Sequence, residues 1–138
     1  MMSRSDPFFR KHEYSEQQRV QMWKNIEHDL AICINDGYSA VRFTYSYTVL
    51  IKLCIVVLSY YGLRVRSVPG HHIALLQKCA DVMNDQEIVT MGELMRVKRN
   101  KDLYDCRIEV SDSEVDAFVS FVNILHGKCK KHTATGRQ

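Results

Sequence analysis

The residues best suited to chemistry form a basic run in the fourth of five predicted helices. Four cations fall within six positions, at Arg96, Lys98, Arg99 and Lys101. A helix rises about 1.5 Å per residue, so the run covers only about 9 Å along its axis. This density of positive charge is typical of a surface that binds phosphate groups. The alternative is a charged helix face that only meets solvent.

Arg99 is the member of this run best suited to act on a phosphodiester. Its planar guanidinium binds phosphate oxygens in pairs and does not lose its charge. Asn100, Tyr104 and Asp105 follow Arg99 within six residues. Tyr104 is a poor proton acceptor because a phenol with a pKa of about 10 stays protonated at neutral pH. Its ring can still stack on a nucleobase. The alternative is a structural cluster in which Arg99 pairs with Asp102 or Asp105.

A second candidate region is the pair His71 and His72, which follows Gly70. The free amides at the start of a helix attract anions, so these histidines are candidate substrate-binding residues. The alternative is a pair of surface or capping histidines. Adjacent residues diverge on a helix, and no second ligand follows four positions later, so the spacing does not favour a metal site. No Gly-rich phosphate loop or other cofactor motif occurs. We expect neither a metal nor a cofactor.

Helical spacing of apolar residues predicts the elements that position these side chains. Ser15 and Gln18 form a capping box before a first helix over 15–35, and Ser111 and Glu114 form another before a fifth helix that ends at Gly127. Two more helices lie between Gly70 and Asn84 and from near Gln86 onward, and the segment 63–70 is expected to be a loop. Inward positions of these two helices include Ile73, Leu76, Ala80, Met83, Ile88, Met91, Leu94 and Met95.

The segment from Ser39 to Tyr61 carries conflicting signals. Phe43, Tyr45, Tyr47 and Val49 alternate with Ser and Thr, which favours a strand. The segment contains no Gly, Pro, Asn or Asp over 23 residues, whereas strands usually run for about 3–10 residues. Length therefore favours one long buried helix, and the chain is predicted to be an all-α five-helix bundle. Since this helix is apolar on most sides, we expect part of it to lie in a dimer interface.

Composition indicates one globular domain. The chain has 138 residues, 46% of them hydrophobic, and a mild net charge of +3. We assign 1–14 to a flexible N-terminal segment, 15–127 to the helical bundle and 128–138 to a basic tail. Five cysteines without close pairs favour free thiols and a cytoplasmic location. The run Val49–Leu58 is too short for a membrane span of about 20 residues, so we expect no contact with a membrane.

Two stretches resemble the HEPN family of prokaryotic helical-bundle proteins. One is the run Arg99–Asp105, which is similar to the family signature of an Arg, a polar residue such as Asn, and a His four to six positions after the Arg. The other runs from Tyr60 through Gly62, Gly70 and the two histidines to Leu75 and Leu76. The resemblance covers about Ser15 to Lys128 in helix order. Arg99 and Asn100 match the signature, and Tyr104 stands where the catalytic form has His. The resemblance thus implies Arg99 and Tyr104 as candidate catalytic residues, and Asn100 and Asp105 join the basic run as candidate binding residues.

The resemblance implies that two such motifs meet across a homodimer and cleave RNA without metal, as the toxin of a toxin–antitoxin pair whose antitoxin is a nucleotidyltransferase. The change from His to Tyr104 favours binding of RNA, a nucleotide or that partner over cleavage. A metal-independent endoribonuclease is the alternative function. A structural dimerisation protein without a ligand is a third.

Overall fold

The computed structural model confirms an all-α bundle and adds one small sheet. It describes residues 6–105 and 110–136, with the backbone alone at 102–105 and 135–136. The elements in chain order are β1 Phe9–Lys11, α1 Glu16–Asn35, α2 Ser39–Ser59, β2 Leu63–Val65, α3 His71–Met83, α4 Glu87–Asp105 and α5 Asp112–Lys131, which continues into a π-helical turn His132–Gly136. The expected helix order is therefore confirmed within the described residues.

Both predicted capping boxes are present. The Gln18 amide donates to the Ser15 Oγ at 3.0 Å, and the Ser15 amide donates to the Gln18 side chain at 2.8 Å. Ser111 and Glu114 make the same reciprocal pair at the start of α5. Each box satisfies two amides that have no partner inside the helix, which fixes where the two helices begin.

Helix α2 is the centre of the bundle and packs against α1, α3, α4, α5 and β2. Its alternating hydroxyl residues do not make a strand, because they donate to carbonyls of their own helix: Ser46 Oγ to Phe43 O at 2.7 Å and Thr48 Oγ1 to Thr44 O at 3.0 Å. The polar atoms are thereby satisfied and the helix can be buried. Within the described part of the chain, no large hydrophobic residue of α2 is exposed. The apolar sides that suggested a dimer interface are covered inside one chain.

By length and apolar composition, α2 alone among the described helices would suffice to cross a membrane. More than half of this stretch is buried inside the molecule, as in the core helix of a bundle. The run Val49–Leu58 is thus part of a longer apolar helix of 21 residues.

The two-stranded sheet was not predicted. β1 pairs antiparallel with β2, with Phe9 opposite Val65 and Lys11 opposite Leu63. Gly62 makes the turn into β2 at a φ of +68°, where a side chain would be strained, and its carbonyl accepts from the His12 amide at 2.9 Å. The prediction of a loop over 63–70 is therefore wrong for Leu63–Val65, which form β2. Phe9 is buried in the core, so the folded unit includes residues that we had assigned to a flexible segment.

Three further expectations were wrong at element ends and faces. Helix α5 continues past Gly127 to Lys131, and Cys129 and Thr133 are buried, so the core reaches into the assigned basic tail. Glycine is tolerated there because it lies on an exposed helix face with open space around it. Ile73 and Leu94, predicted to point inward, are 46% and 44% exposed. They lie at the edges of their apolar stripes, where small rotations of a helix decide burial.

Candidate anion-binding site

The start of α3 fixes the orientation of His71. Gly70 precedes the helix in the left-handed region, with a φ of +81°, which turns the chain from Pro69 into the first helical turn. His71 Nδ1 lies 2.8 Å from the Val68 carbonyl oxygen. Because a carbonyl can only accept, Nδ1 carries the proton and neutral His71 has its lone pair on Nε2. That nitrogen can accept a proton.

His72 is oriented by a residue of the central helix. Its Nδ1 lies 2.9 Å from the hydroxyl of Tyr47, which is 2% exposed. Burial raises the pKa of Tyr47 to about 12, so its hydroxyl keeps a proton that it can donate to Nδ1. Burial, followed by the positive field of His71, Arg99 and Arg96, lowers the pKa of His72 below its ordinary value. In the neutral tautomer that accepts from Tyr47, His72 carries its proton on Nε2 and can act there as a hydrogen-bond donor.

Two arginines of α4 face these histidines. Arg96 and Arg99 lie three positions apart and thus share a helix face. Arg96 is held by Glu93 through two contacts, Nε to Oε2 at 2.9 Å and Nη2 to Oε1 at 3.2 Å. The guanidinium of Arg99 lies over the ring of Tyr47, 5.4 Å from its centre. Within the described part of the chain, no carboxylate pairs with Arg99. The cation–π contact with Tyr47 is thus the contact that the described residues show for the guanidinium of Arg99.

The start of α3 and the end of α4 enclose a cavity of about 510 Å³, which we call the Arg99 cleft. Its lining includes five residues of the predicted site, namely His71, His72, Arg96, Arg99 and Asn100. Two arginines, an asparagine, two histidines and the first residues of α3 line it. Such a set can bind a phosphate through several charge-assisted hydrogen bonds.

Other predicted site residues do not join this cleft. Lys98 Nζ lies 3.1 Å from Glu114 Oε2, so it ties α4 to the start of α5. Lys101 is exposed three positions after Lys98, on the face that Arg99 does not share. The basic run is thus divided between two helix faces, and its four cations do not form one patch. The side chains of Tyr104 and Asp105 lie outside the described part of the chain, as does Cys106.

Sequence reasoning missed three residues of the site. Tyr47 was counted only among the apolar positions of α2, although a buried phenol needs a hydrogen-bond partner. Glu93 lies three positions before Arg96, a spacing that signals an ion pair on a helix. Ser67 lines the cleft from the segment before α3, and nothing in its local sequence marks it.

The described residues contain no group of three His, Cys, Asp or Glu side chains that could hold a metal ion. No protein-family model matches the chain, and neither a curated protein nor a solved structure does.

Proposed function

We propose that this chain is a HEPN-like homodimeric module that binds RNA or a nucleotide through the Arg99 cleft. The observation that carries the proposal is the position of Arg99. Its guanidinium is placed by the ring of Tyr47, has no carboxylate partner among the described residues, and lines a cavity with Arg96, Asn100 and two histidines. A guanidinium that contacts an aromatic ring and shares a cavity with a second guanidinium favours binding of an anion.

The neighbouring groups suit phosphate better than a carboxylate. Arg96 and Arg99 project from one face of α4, while His72 offers a neutral donor from the facing helix. A phosphate has oxygens in several directions and can accept from all of them at once. Glu93 pairs with Arg96, and Arg99 supplies the second guanidinium of this face.

Exposed apolar side chains on α3 and α4 support a homodimer. Ile73 lines the cleft, and Leu94 and Val97 lie one turn apart on α4; they are 42–46% exposed. Leu94 shares the helix face of Lys98 and Lys101, so it is a second copy covering Ile73 that would bring two clefts together, as the family resemblance implies. A nucleotidyltransferase partner is the other occupant that the resemblance implies for this face. Four buried free thiols support a reducing compartment such as the cytoplasm.

A metal-independent endoribonuclease is the second candidate, and one observation favours it. His71 is held by the Val68 carbonyl with its Nε2 lone pair available, in the same cleft as Arg99. A base that removes the proton of a 2′-hydroxyl and a cation that stabilises the phosphorane are the two groups which such cleavage needs. His71 is better suited than Tyr104 to the first role, because a histidine exchanges protons near neutral pH.

Replacement of Arg99 tests the binding proposal. Arg99→Ala should weaken binding of a short oligoribonucleotide by about 1.5–3 kcal/mol, or about 10- to 150-fold. Arg99→Lys should restore only part of the loss, since an ammonium lacks the planar fork. Lys98→Ala is the matched control, because it removes the same charge one position away, on the face that pairs with Glu114. Equal losses of affinity in both variants would show that only the net charge matters, and would contradict a site at Arg99.

The catalytic candidate is tested in the same assay with a chelator present. RNA cleavage that persists in chelator and disappears in both Arg99→Ala and His71→Ala would favour the endoribonuclease function over the binding function. Cleavage that disappears in Tyr104→Phe but survives in His71→Ala would assign the proton transfer to Tyr104 instead.

A further inference from the structure

A second cavity, of about 700 Å³, adjoins the Arg99 cleft. It lies between α1, α2, β2 and the start of α3, and we call it the α1–α2 groove. Its volume falls within the roughly 300–1,000 Å³ typical of small-molecule sites. Aliphatic side chains make its apolar surface: Met22, Ile51, Ile55, Leu58, Leu63, Val65 and Leu75. The groove can therefore bury one apolar surface of a ligand.

The rim of the groove is polar along α1. Gln18, Gln21 and Asn25 lie three and four positions apart and line it together. The carbonyl oxygens of two of them are engaged: Gln18 Oε1 accepts from the Ser15 amide at 2.8 Å, and Asn25 Oδ1 accepts from Lys52 Nζ at 2.6 Å. The NH₂ groups of both amides take no part in these contacts. The amide side chains of this rim can therefore supply hydrogen-bond donors to a ligand.

The groove and the Arg99 cleft are neighbours. Ser67, His71 and His72 line both cavities. The Tyr47–His72 hydrogen bond lies at this border, one turn before Ile51 on α2. A ligand that occupied both cavities would extend from the aliphatic floor to the two arginines past the histidine pair.

We propose that the groove holds the base of a nucleoside phosphate whose phosphate group lies in the Arg99 cleft. The inference rests on the proposed function and names its ligand class. A nucleobase has apolar faces and a polar edge, which matches an aliphatic floor below a row of amide donors. An acyl chain would match the floor but leave the amide rim and Arg64 without polar partners. The nucleoside phosphate is either a free nucleotide or one unit of an RNA strand.

Binding of three probes to the full chain separates the base from the phosphate. AMP should bind about tenfold more tightly than ribose 5-phosphate, which has no base, and both should lose affinity in Arg99→Ala. Gln21→Ala should weaken AMP binding about two- to tenfold, the range for one hydrogen bond, and leave ribose 5-phosphate unchanged. Gln17→Ala is the matched control, since Gln17 is exposed on the same helix and does not line the groove. Ile51→Trp, which fills the groove from its floor, should remove the advantage of AMP while ribose 5-phosphate still binds.

The outcomes distinguish the two proposals. If AMP and ribose 5-phosphate bind equally and Arg99→Ala weakens both, phosphate binding in the Arg99 cleft is supported and the base site in the α1–α2 groove is overturned. If neither probe binds and an oligoribonucleotide does not either, the proposed function fails and the base site fails with it. A short oligoribonucleotide that binds through Gln21 and Arg99 when AMP does not would support the base site and identify an RNA unit as the source.

Discussion

The hydroxyl of Tyr47 and Nδ1 of His72 lie 2.9 Å apart and join the central helix to the start of α3. Tyr47 is almost fully buried, and the same ring supports the guanidinium of Arg99. One aromatic side chain thus orients a histidine and an arginine that come from two other helices. The geometry of the cleft depends on a residue that faces the core.

Removal of the Tyr47 hydroxyl should destabilise the fold. Tyr47→Phe leaves the Nδ1 atom of His72 without its donor, and we expect the free energy of unfolding to fall by about 1 kcal/mol. Urea denaturation followed by circular dichroism measures the change. Tyr38→Phe is the matched control: Tyr38 is 75% exposed, and its loss of a hydroxyl should have no effect. Equal stability of the two variants would show that the Tyr47–His72 contact contributes nothing.

Stability should fall in mild acid because of His72. Its pKa in the folded protein lies below the ordinary value of 6.5, so below that pH the unfolded chain binds a proton that the folded chain does not. The free energy of unfolding therefore decreases as the pH falls through 6.5 toward the folded-state pKa. His72→Gln should flatten this part of the profile in urea denaturation series. An unchanged slope would contradict the lowered pKa.

Gly92 should not tolerate a methyl group. A Cβ at this position would lie 2.7 Å from Leu76 Cδ2 and 3.3 Å from Leu50 Cδ2, where α4 crosses α3 and α2. Gly92→Ala should therefore destabilise the protein by about 1–3 kcal/mol. Gly127→Ala is the opposite case, since nothing lies within 4 Å of its Cβ on α5, and it should stabilise by about 0.5–1 kcal/mol. Thermal denaturation of both variants checks the two signs.

The cysteines should be reduced and, where buried, unreactive. Cys33, Cys54, Cys79 and Cys129 are buried free thiols, and burial raises the pKa of Cys33 to about 11. Titration with a thiol reagent should find these four protected at neutral pH and all five cysteines reactive in denaturant. Because the folded thiol keeps its proton, stability should fall as the pH rises above 9. A stoichiometric internal disulfide would contradict the prediction.

The homodimer remains a prediction and has a specific test. Light scattering at micromolar concentration should give twice the mass of the chain. Leu94→Lys should shift the protein to monomer if the exposed face of α4 is the interface, whereas Val20→Lys, at a similarly exposed position on α1, should not. A monomer at all concentrations in the unaltered protein would also remove the basis for a site shared between two copies.

Local sequence was sufficient to predict the helices. Ser15 with Gln18 and Ser111 with Glu114 marked two starts correctly, because capping is a contact between residues three positions apart. The length of the segment 39–61 decided between a strand and a helix for α2. This too was a local signal, since the absence of turn residues is visible without tertiary information. The strand β1 could not be found in this way. Its three residues are stable only because β2, more than fifty positions later, supplies their partners.

The sequence by itself marked two regions as candidates for the site, the histidine pair and the segment that contains Arg96, Lys98, Arg99, Asn100, Lys101, Tyr104 and Asp105. It could not determine which cations of the basic run would face the histidines. Helix geometry separates Lys98 from Arg99, but only the packing of α4 against α3 decides which face meets the cleft. Tertiary structure also decided the role of Tyr47, because a buried hydroxyl takes its function from a partner twenty-five positions away.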